Sequence, residues 1–474
     1  MLDILLINGT VITVDSENRV IDRGYVAVKD GLIAAVGFME ELESGGLPDA
    51  RQIMDMSGHA VLPGLIDAHG HGGHCLLKTL GEHYDAEWDD MSVQAYYRCT
   101  DTDFWYNEAA LAAAERVKFG TTTAVSMIGS QPKVDSVEAV DAHLAGSASV
   151  GIRQFSGIGF PDGPWPKYAV QYDVDGLGHE VTVDQKDALQ NIETCLETLN
   201  GKYPRTTCIV APGRMGRRAK VSEEDNIWQN KEMARLAAQY DVPLHTHAYS
   251  GDVKFMKETS PEALTPRISL THSTGYSDEE LDILAETGAW VLHGPTTYSH
   301  ALWHCRVMDI LEKGINFAIV TDGTAPDRSY DLWRDMKNVQ LIQRYEHRNY
   351  GMLPCGTVLR MATIEPARAL GIDDVTGSLE VGKKADIITV NVMQPHLAPF
   401  RVMPVQRLVA HAMGQDVDNV IVEGEIVMEN RRLTKVDEGE IIRKAAESFE
   451  TMLARLDRTD ILENPNLYGL NQYE

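Results

Sequence analysis

In this 474-residue chain, four residues have the types and spacing of a metal centre. His69 and His71 lie in VLPGLIDAHGHGGH, His247 in VPLHTHAYS, and Asp322 directly after the apolar run of INFAIVTDG. Side chains alternate across an extended strand, so His69 and His71 point to one side, where their ring nitrogens can converge on one cation. Neutral imidazole and carboxylate oxygen suit zinc and other first-row divalent ions. His272, in RISLTHSTG, ends another apolar run, and a group that titrates near neutrality is suited to acid–base work beside such an ion. Asp322 is both a ligand candidate and a catalytic one. His245 faces the same way as His247 one layer deeper, as an orienting or packing group. His293, in WVLHGPTTYSH, is a candidate substrate contact.

The stretch TTCIVAPGRM, read as the fourth strand, ends without a lysine to bridge a second ion. One divalent cation per chain is therefore expected, zinc foremost, with cobalt or iron accepted by the same ligands. Gly72-Gly73 belongs to no phosphate loop, because GKS and GKT are absent. Arg214, Arg217 and Arg218 read equally as an anion contact or as a solvated basic turn. Tyr84 and Trp88, in GEHYDAEWDD, are candidates to hold a flat apolar group at the mouth, and GFPDGPWPKYAVQYD is a second candidate wall.

Residues so far apart meet only if separate strands deliver them to one rim. From Val61 short apolar runs alternate with helical stretches, giving strand ends near His69, Met127, Gly157, Pro212, His247, His272, His293 and Asp322. That pattern predicts a (β/α)8 TIM barrel, an α/β fold whose active site gathers where the strands end. Ser277 and Glu280 form a capping-box pattern before LDILAE, and Gly288 then stops the helix. Residues 1–58 alternate apolar and polar positions between turns and read as a small antiparallel sheet. Strands return at ADIITVN and VDNVIVEGEIVMENRRLT, followed by an amphipathic helix in EGEIIRKAAESFETMLARL. Neither end is large enough to bury its own apolar faces, so 1–58 and 385–474 are expected to form one composite β-sandwich domain beside a barrel spanning 59–384.

Acidic residues outnumber basic ones 70 to 43, and a formal charge of -27 disfavours nucleic acid and anionic membrane surfaces as partners. No stretch reads as a secretion signal or a spanning helix, so a cytoplasmic protein is expected. Six cysteines without C-x-x-C spacing read as reduced and structural.

PGLIDAHGH, HTHAYS, THS and TDG, in that order, together with the closing TGSLEVGKKADIITVN, resemble the amidohydrolase superfamily in its triazine hydrolase and guanine deaminase-like branch. The resemblance implies one divalent metal on His69, His71, His247 and Asp322, with Asp322 and His272 managing protons around an activated water. It also implies a homo-oligomer acting on a small organic molecule. One departure stands out: Ser250 occupies the position where deaminases of this branch carry the glutamate of H-x-H-x-x-E, and the motif after the seventh strand is altered to HGPTTYSH. A serine has no comparable acid–base pKa. The expected substrate is therefore a neutral amide-like compound, a urea, carbamate, thiocarbamate or amide, with a looser resemblance to phenylurea and thiocarbamate hydrolases. The alternative is a deaminase or chlorohydrolase of an N-heterocycle such as a triazine or purine, with Glu82, Asp85 or Glu87 replacing the glutamate.

Overall fold

A computed structural model describes residues 1–80, 88–218 and 220–458. Eight parallel strands form a nearly closed barrel: Leu65–Asp67, Thr121–Ile128, Arg153–Ile158, Thr206–Val210, Leu244–Tyr249, Ile268–Thr274, Trp290–His293 and Phe317–Ile319. Sheet order follows chain order, as right-handed strand–helix–strand units require. The second strand, TTTAVSMI, is buried along its whole length, because helices cover the outside and side chains fill the inside. The helix Asp278–Thr287 has the expected ends. Ser277 Oγ accepts from Glu280 N (3.3 Å), the Glu280 carboxylate accepts from Ser277 N (3.1 Å), and Gly288 closes it at φ 71°.

The first and eighth strands are joined by a buried acid. Asp67 Oδ1 accepts from Thr321 N (3.0 Å), and its Oδ2 accepts from Thr321 Oγ1 (2.6 Å). Arg116, equally buried, places Nε 3.6 Å from Asp67 Oδ2 and stacks its guanidinium over the Tyr330 ring. Just above, Asp322 N donates to the His69 carbonyl (3.1 Å). Two of the four metal-ligand candidates are thereby fixed to each other through the backbone.

The small domain is one mixed sheet built from both ends of the chain, rather than antiparallel throughout its N-terminal part. Leu2–Ile12 pairs antiparallel with Val20–Lys29 but parallel with Ala50–Asp55 and His59–Pro63. The helix Met39–Gly45 lies between the early strands and Ala50–Asp55, a crossover that lets the chain return in the same direction. Ile387–Asn391 then pairs antiparallel with His59–Pro63 and brings in Val417–Val422, Glu425–Glu429 and Arg432–Leu433. The helix Glu438–Arg455 buries Ile441, Ala445, Ser448 and Met452 and packs on Thr102–Lys118 of the barrel. Lys118–Glu438 (2.8 Å) and Arg455–Asp101 (2.9 Å) flank that contact. The segment NPNLYGLNQYE lies outside the described residues. Among the described residues no helix is long and apolar enough to cross a membrane.

Replacing Asp67 by alanine leaves Arg116 buried without its carboxylate, a change that costs about 3–5 kcal/mol. Asp67→Asn keeps an acceptor for Thr321 and is expected to lose less. Denaturant unfolding of the two variants measures the difference, and equal stability of Asp67→Ala and the parent chain would show that the clasp does not hold the barrel closed.

Candidate metal centre

His71 pairs with the second barrel strand opposite Met127. It turns there past Gly73, whose φ of 95° and contact with the Tyr96 ring leave no room for a Cβ. Its Nδ1 donates to the Gly129 carbonyl (2.8 Å), and His247 Nδ1 donates to the Gly213 carbonyl (2.7 Å). With those protons assigned by their acceptors, both Nε2 atoms present lone pairs, and these stand 3.3 Å apart. Asp322 Oδ1 lies 3.2 Å from the Nε2 of His69 and of His71. Two lone pairs cannot bond each other, whereas a divalent cation satisfies both and the carboxylate together. Among the described residues two overlapping sets bring donor atoms within 4.8 Å of one another, His69/His71/His247 and His69/His272/Asp322. The residues present therefore fit a single metal ion.

His245 supports this arrangement from below. Its Nε2 lies 2.7 Å from His69 Nδ1, and its Nδ1 lies 2.7 Å from Ser269 Oγ. Burial pushes His245 down to about 3 and His247 to about 4, so these two rings are neutral and their lone pairs are available. His272 is also driven well below its ordinary value, by burial and then by His247. Burial alone would raise Asp322, but the charge of Arg328 and the adjoining His69 and His71 rings hold it well below the usual carboxylate range. Its oxygens are otherwise taken by Thr297 Oγ1 (3.0 Å) and Gly323 N (2.6 Å).

Both acid–base candidates sit on left-handed backbone, His272 at φ 74° and Asp322 at φ 66°. Each such residue costs on the order of 1–3 kcal/mol and persists only where its surroundings fix it. At His272 the turn carries the ring out of the strand's alternation and onto His247, centroids 4.8 Å apart and planes within 13°. Tyr249 stacks on the outer face of His272 (5.5 Å), and Trp303 meets it edge-on (4.9 Å).

These groups floor and line a cavity of about 390 Å³ whose wall includes Trp88, Asp162, Arg214, Tyr249, Trp303 and Arg328. Larger clefts elsewhere, about 710 and 910 Å³, contain His59 alone or no histidine, so volume does not locate the chemistry. Trp88 reaches the cavity as expected and meets His74 edge-on at 5.4 Å. Tyr84 lies outside the described residues, as do Glu82, Asp85 and Glu87. His293 does not line the cavity. It remains in the strand ladder opposite Ile319, with its ring packed on Tyr298 (4.2 Å) and Phe317 (5.8 Å). Arg214 lines the cavity, paired with Asp252 through Nε and Nη2 (2.7 and 2.8 Å), whereas Arg217 is exposed and Arg218 buried. Ser250 is exposed and outside the cavity wall. Trp303, Thr297 and Arg328 were not singled out by sequence. Arg328 follows Asp322 in TDGTAPDR, and this proximity was the available signal.

The amidohydrolase family model matches residues 60–427. A 5-methylthioadenosine/S-adenosylhomocysteine deaminase from Syntrophobacter fumaroxidans is 30% identical over 445 residues, covering 93% of this chain and 96% of that protein. A zinc-bound adenosine deaminase from Xanthomonas campestris shares the fold with a TM-score of 0.79 at 22% identity, over 96% of this chain and 99% of that one. A mutant atrazine chlorohydrolase from Arthrobacter aurescens, complexed with zinc and atraton, gives 0.76 at 21% identity, over 94% and 100%. The chain belongs to the amidohydrolase family. It is a metal-dependent hydrolase of that family, with one divalent cation held by histidine and aspartate.

Removing a ligand and removing a proton carrier should separate experimentally. His69→Ala, His71→Ala and His247→Ala are expected to lower metal content after metal-replete purification, while His272→Ala retains the ion and slows turnover at least tenfold, roughly. Elemental analysis beside a turnover assay reads both, and loss of the ion from His272→Ala would move that residue into the ligand set.

Asp335 supplies a pH test of the wall. Its Oδ1 accepts both Thr296 N (3.2 Å) and Thr296 Oγ1 (2.6 Å), next to the Thr297 that holds Asp322. Burial pushes its carboxyl up to about 8, whereas an unfolded aspartate titrates near about 4. The native chain thus binds a proton that the unfolded chain releases. This contribution is fully present below about pH 4 and is lost as pH rises to about 8. Asp335→Asn keeps the acceptor and removes the titration, so its melting temperature relative to the parent chain should rise across that window. A constant difference would contradict the assignment.

Proposed function

We propose that this enzyme hydrolytically displaces a substituent, an amine foremost, from a planar nitrogen heterocycle of the purine or triazine class. The observation that carries the reading is that Trp88, Tyr249, His272 and Trp303 line the same cavity as His71, His247 and Asp322, giving it an aromatic wall beside the donor cluster. Such walls cover the faces of a flat ring and leave its edge toward the donors. End-to-end likeness to a purine-nucleoside deaminase supports the same substrate class.

When bound, a divalent cation, zinc first with cobalt or iron compatible with the same ligands, supplies water activation near neutral pH and Lewis-acid polarisation. His69, His71 and His247 hold fixed lone pairs for it. Asp322, kept ionised by Arg328, takes a proton from the attacking water and returns it to the departing group. His272, neutral and with Nδ1 lacking a protein partner, offers a hydrogen bond to water or substrate. Tyr249 and Trp303 exclude solvent around it.

A second reading is favoured by one observation: Ser250 is exposed and supplies no acid to a ring nitrogen. A urea, carbamate, thiocarbamate or amide needs no ring protonation. Mass-spectrometric product analysis of the metal-loaded enzyme on aminated and chlorinated purines and triazines, beside N-substituted ureas and carbamates, decides between them. Release of ammonia or chloride from a heterocycle is expected, and cleavage of ureas alone would contradict the first reading. Trp303→Ala should raise KM for the heterocycle about tenfold, the scale of one lost aromatic contact.

A further inference from the structure

Water adds to a substituted ring carbon only if the electron pair it displaces is accepted at the neighbouring ring nitrogen, which needs a proton. On the heterocycle reading, on which this inference rests, that donor must face the cavity, and Ser250 does not. Among the described residues the cavity wall contains two carboxylates, Asp322 and Asp162. Asp322 is engaged by the histidines, Thr297 and Gly323. Asp162 enters from the segment after the third strand, and its Oδ1 is sealed from solvent without a hydrogen-bond partner. No hydrogen bond within the fold commits that oxygen, and of the carboxylates so left among the described residues it is the one on a residue that lines this cavity.

The backbone of Asp162 is held on both sides. Its N–H donates to Gln131 Oε1 (2.9 Å), and the Lys167 ammonium binds its carbonyl. The carboxyl stands beside Gly213, where a Cβ would lie 3.5 Å from Oδ1. Gly213 is the residue whose carbonyl orients His247. Asp162 therefore lines the same cavity as the aromatic residues and stands beside the glycine that orients His247.

We propose that Asp162 is the catalytic acid that protonates the ring nitrogen, in place of the glutamate missing at position 250. The water oxygen bonds to the ring carbon, one water proton passes to Asp322, and the ring C=N pair moves to nitrogen and takes the proton of Asp162. The adduct then collapses: the bond to the amine breaks, Asp322 gives its proton to the departing nitrogen as ammonia, and the hydroxyl proton returns to Asp162. A ring carbonyl with an adjacent N–H is left, and both carboxyls are restored. Burial raises the Asp162 carboxyl and favours its protonated form, against the opposing charges of Arg218, Arg214 and Lys167 and the amide of Gln131.

The test uses metal-loaded full-length enzyme with adenosine, 5′-deoxyadenosine and an aminotriazine as probes, following ammonia release between pH 5 and 9, roughly. Asp162→Asn should lose about 100-fold or more in kcat with KM within about threefold, at unchanged metal content and melting temperature. Asp162→Ala should regain turnover on addition of formate, more strongly at lower pH, because formic acid replaces the missing donor. Asp162→Asn turning over within about threefold of the parent, or an Asp162→Ala loss that formate does not restore, would overturn the donor role and leave the heterocycle reading standing. Parent enzyme that cleaves ureas but releases no ammonia from any probe would overturn the heterocycle reading and the donor role with it.

Discussion

Several lone pairs that cannot bond one another are forced into one small, dry volume, and the rest of the structure is arranged around that constraint. His71 and His247 each direct one ring nitrogen to a backbone carbonyl, so the other nitrogens face inward 3.3 Å apart. Burial keeps the His247 ring neutral, so its inward nitrogen carries a lone pair and not a proton. Asp322 is the one anion at the centre of the cluster, and Arg328 beside it keeps it charged. A donor set of this kind is stable when a cation completes it.

The barrel supplies the rigidity. Asp67 ties the first strand to Thr321 just past the end of the eighth, and His69 and Asp322 meet through a backbone hydrogen bond next to it. Backbone strain is tolerated at His272 because its strand is paired on both sides, and at Asp322 because its N–H is bound to the His69 carbonyl and its carboxylate to Gly323 N. The chain carries a large negative charge, yet its cavity wall presents Arg214 and Arg328, so the field a substrate meets differs from the field of the whole surface.

The clustering of His69, His71, His247 and Asp322 was legible in sequence because each ends an apolar run, and strand ends of a barrel share one rim. The capping box at Ser277 and the stop at Gly288 were legible for a local reason, since both ends of a helix are written within a few residues. Facing was not legible where a strand stops. His272 and His293 carry the same end-of-strand signal, but a left-handed turn rotates one into the cavity while the other stays in register. The parallel pairing of Ala50–Asp55 was hidden because strand direction depends on how the preceding helix returns the chain. Asp67 was hidden within the metal motif itself, and Trp303 and Arg328 reach the site through loops whose paths depend on tertiary contacts, whereas Asp162 lies in GFPDGPWPKYAVQYD, the stretch read as a second wall. The preference for a urea-like substrate rested on Ser250 and on the altered HGPTTYSH motif. The aromatic lining of the cavity and the full-length likeness to a deaminase support the proposed heterocycle instead.

Anomalous diffraction from crystals of the metal-loaded enzyme tests the central claim most directly. One peak per chain is predicted, within about 2.0–2.2 Å of nitrogens of His69, His71 and His247 and of an Asp322 oxygen. Two peaks in the cavity, or one peak that leaves His247 or Asp322 uncoordinated, would contradict the account.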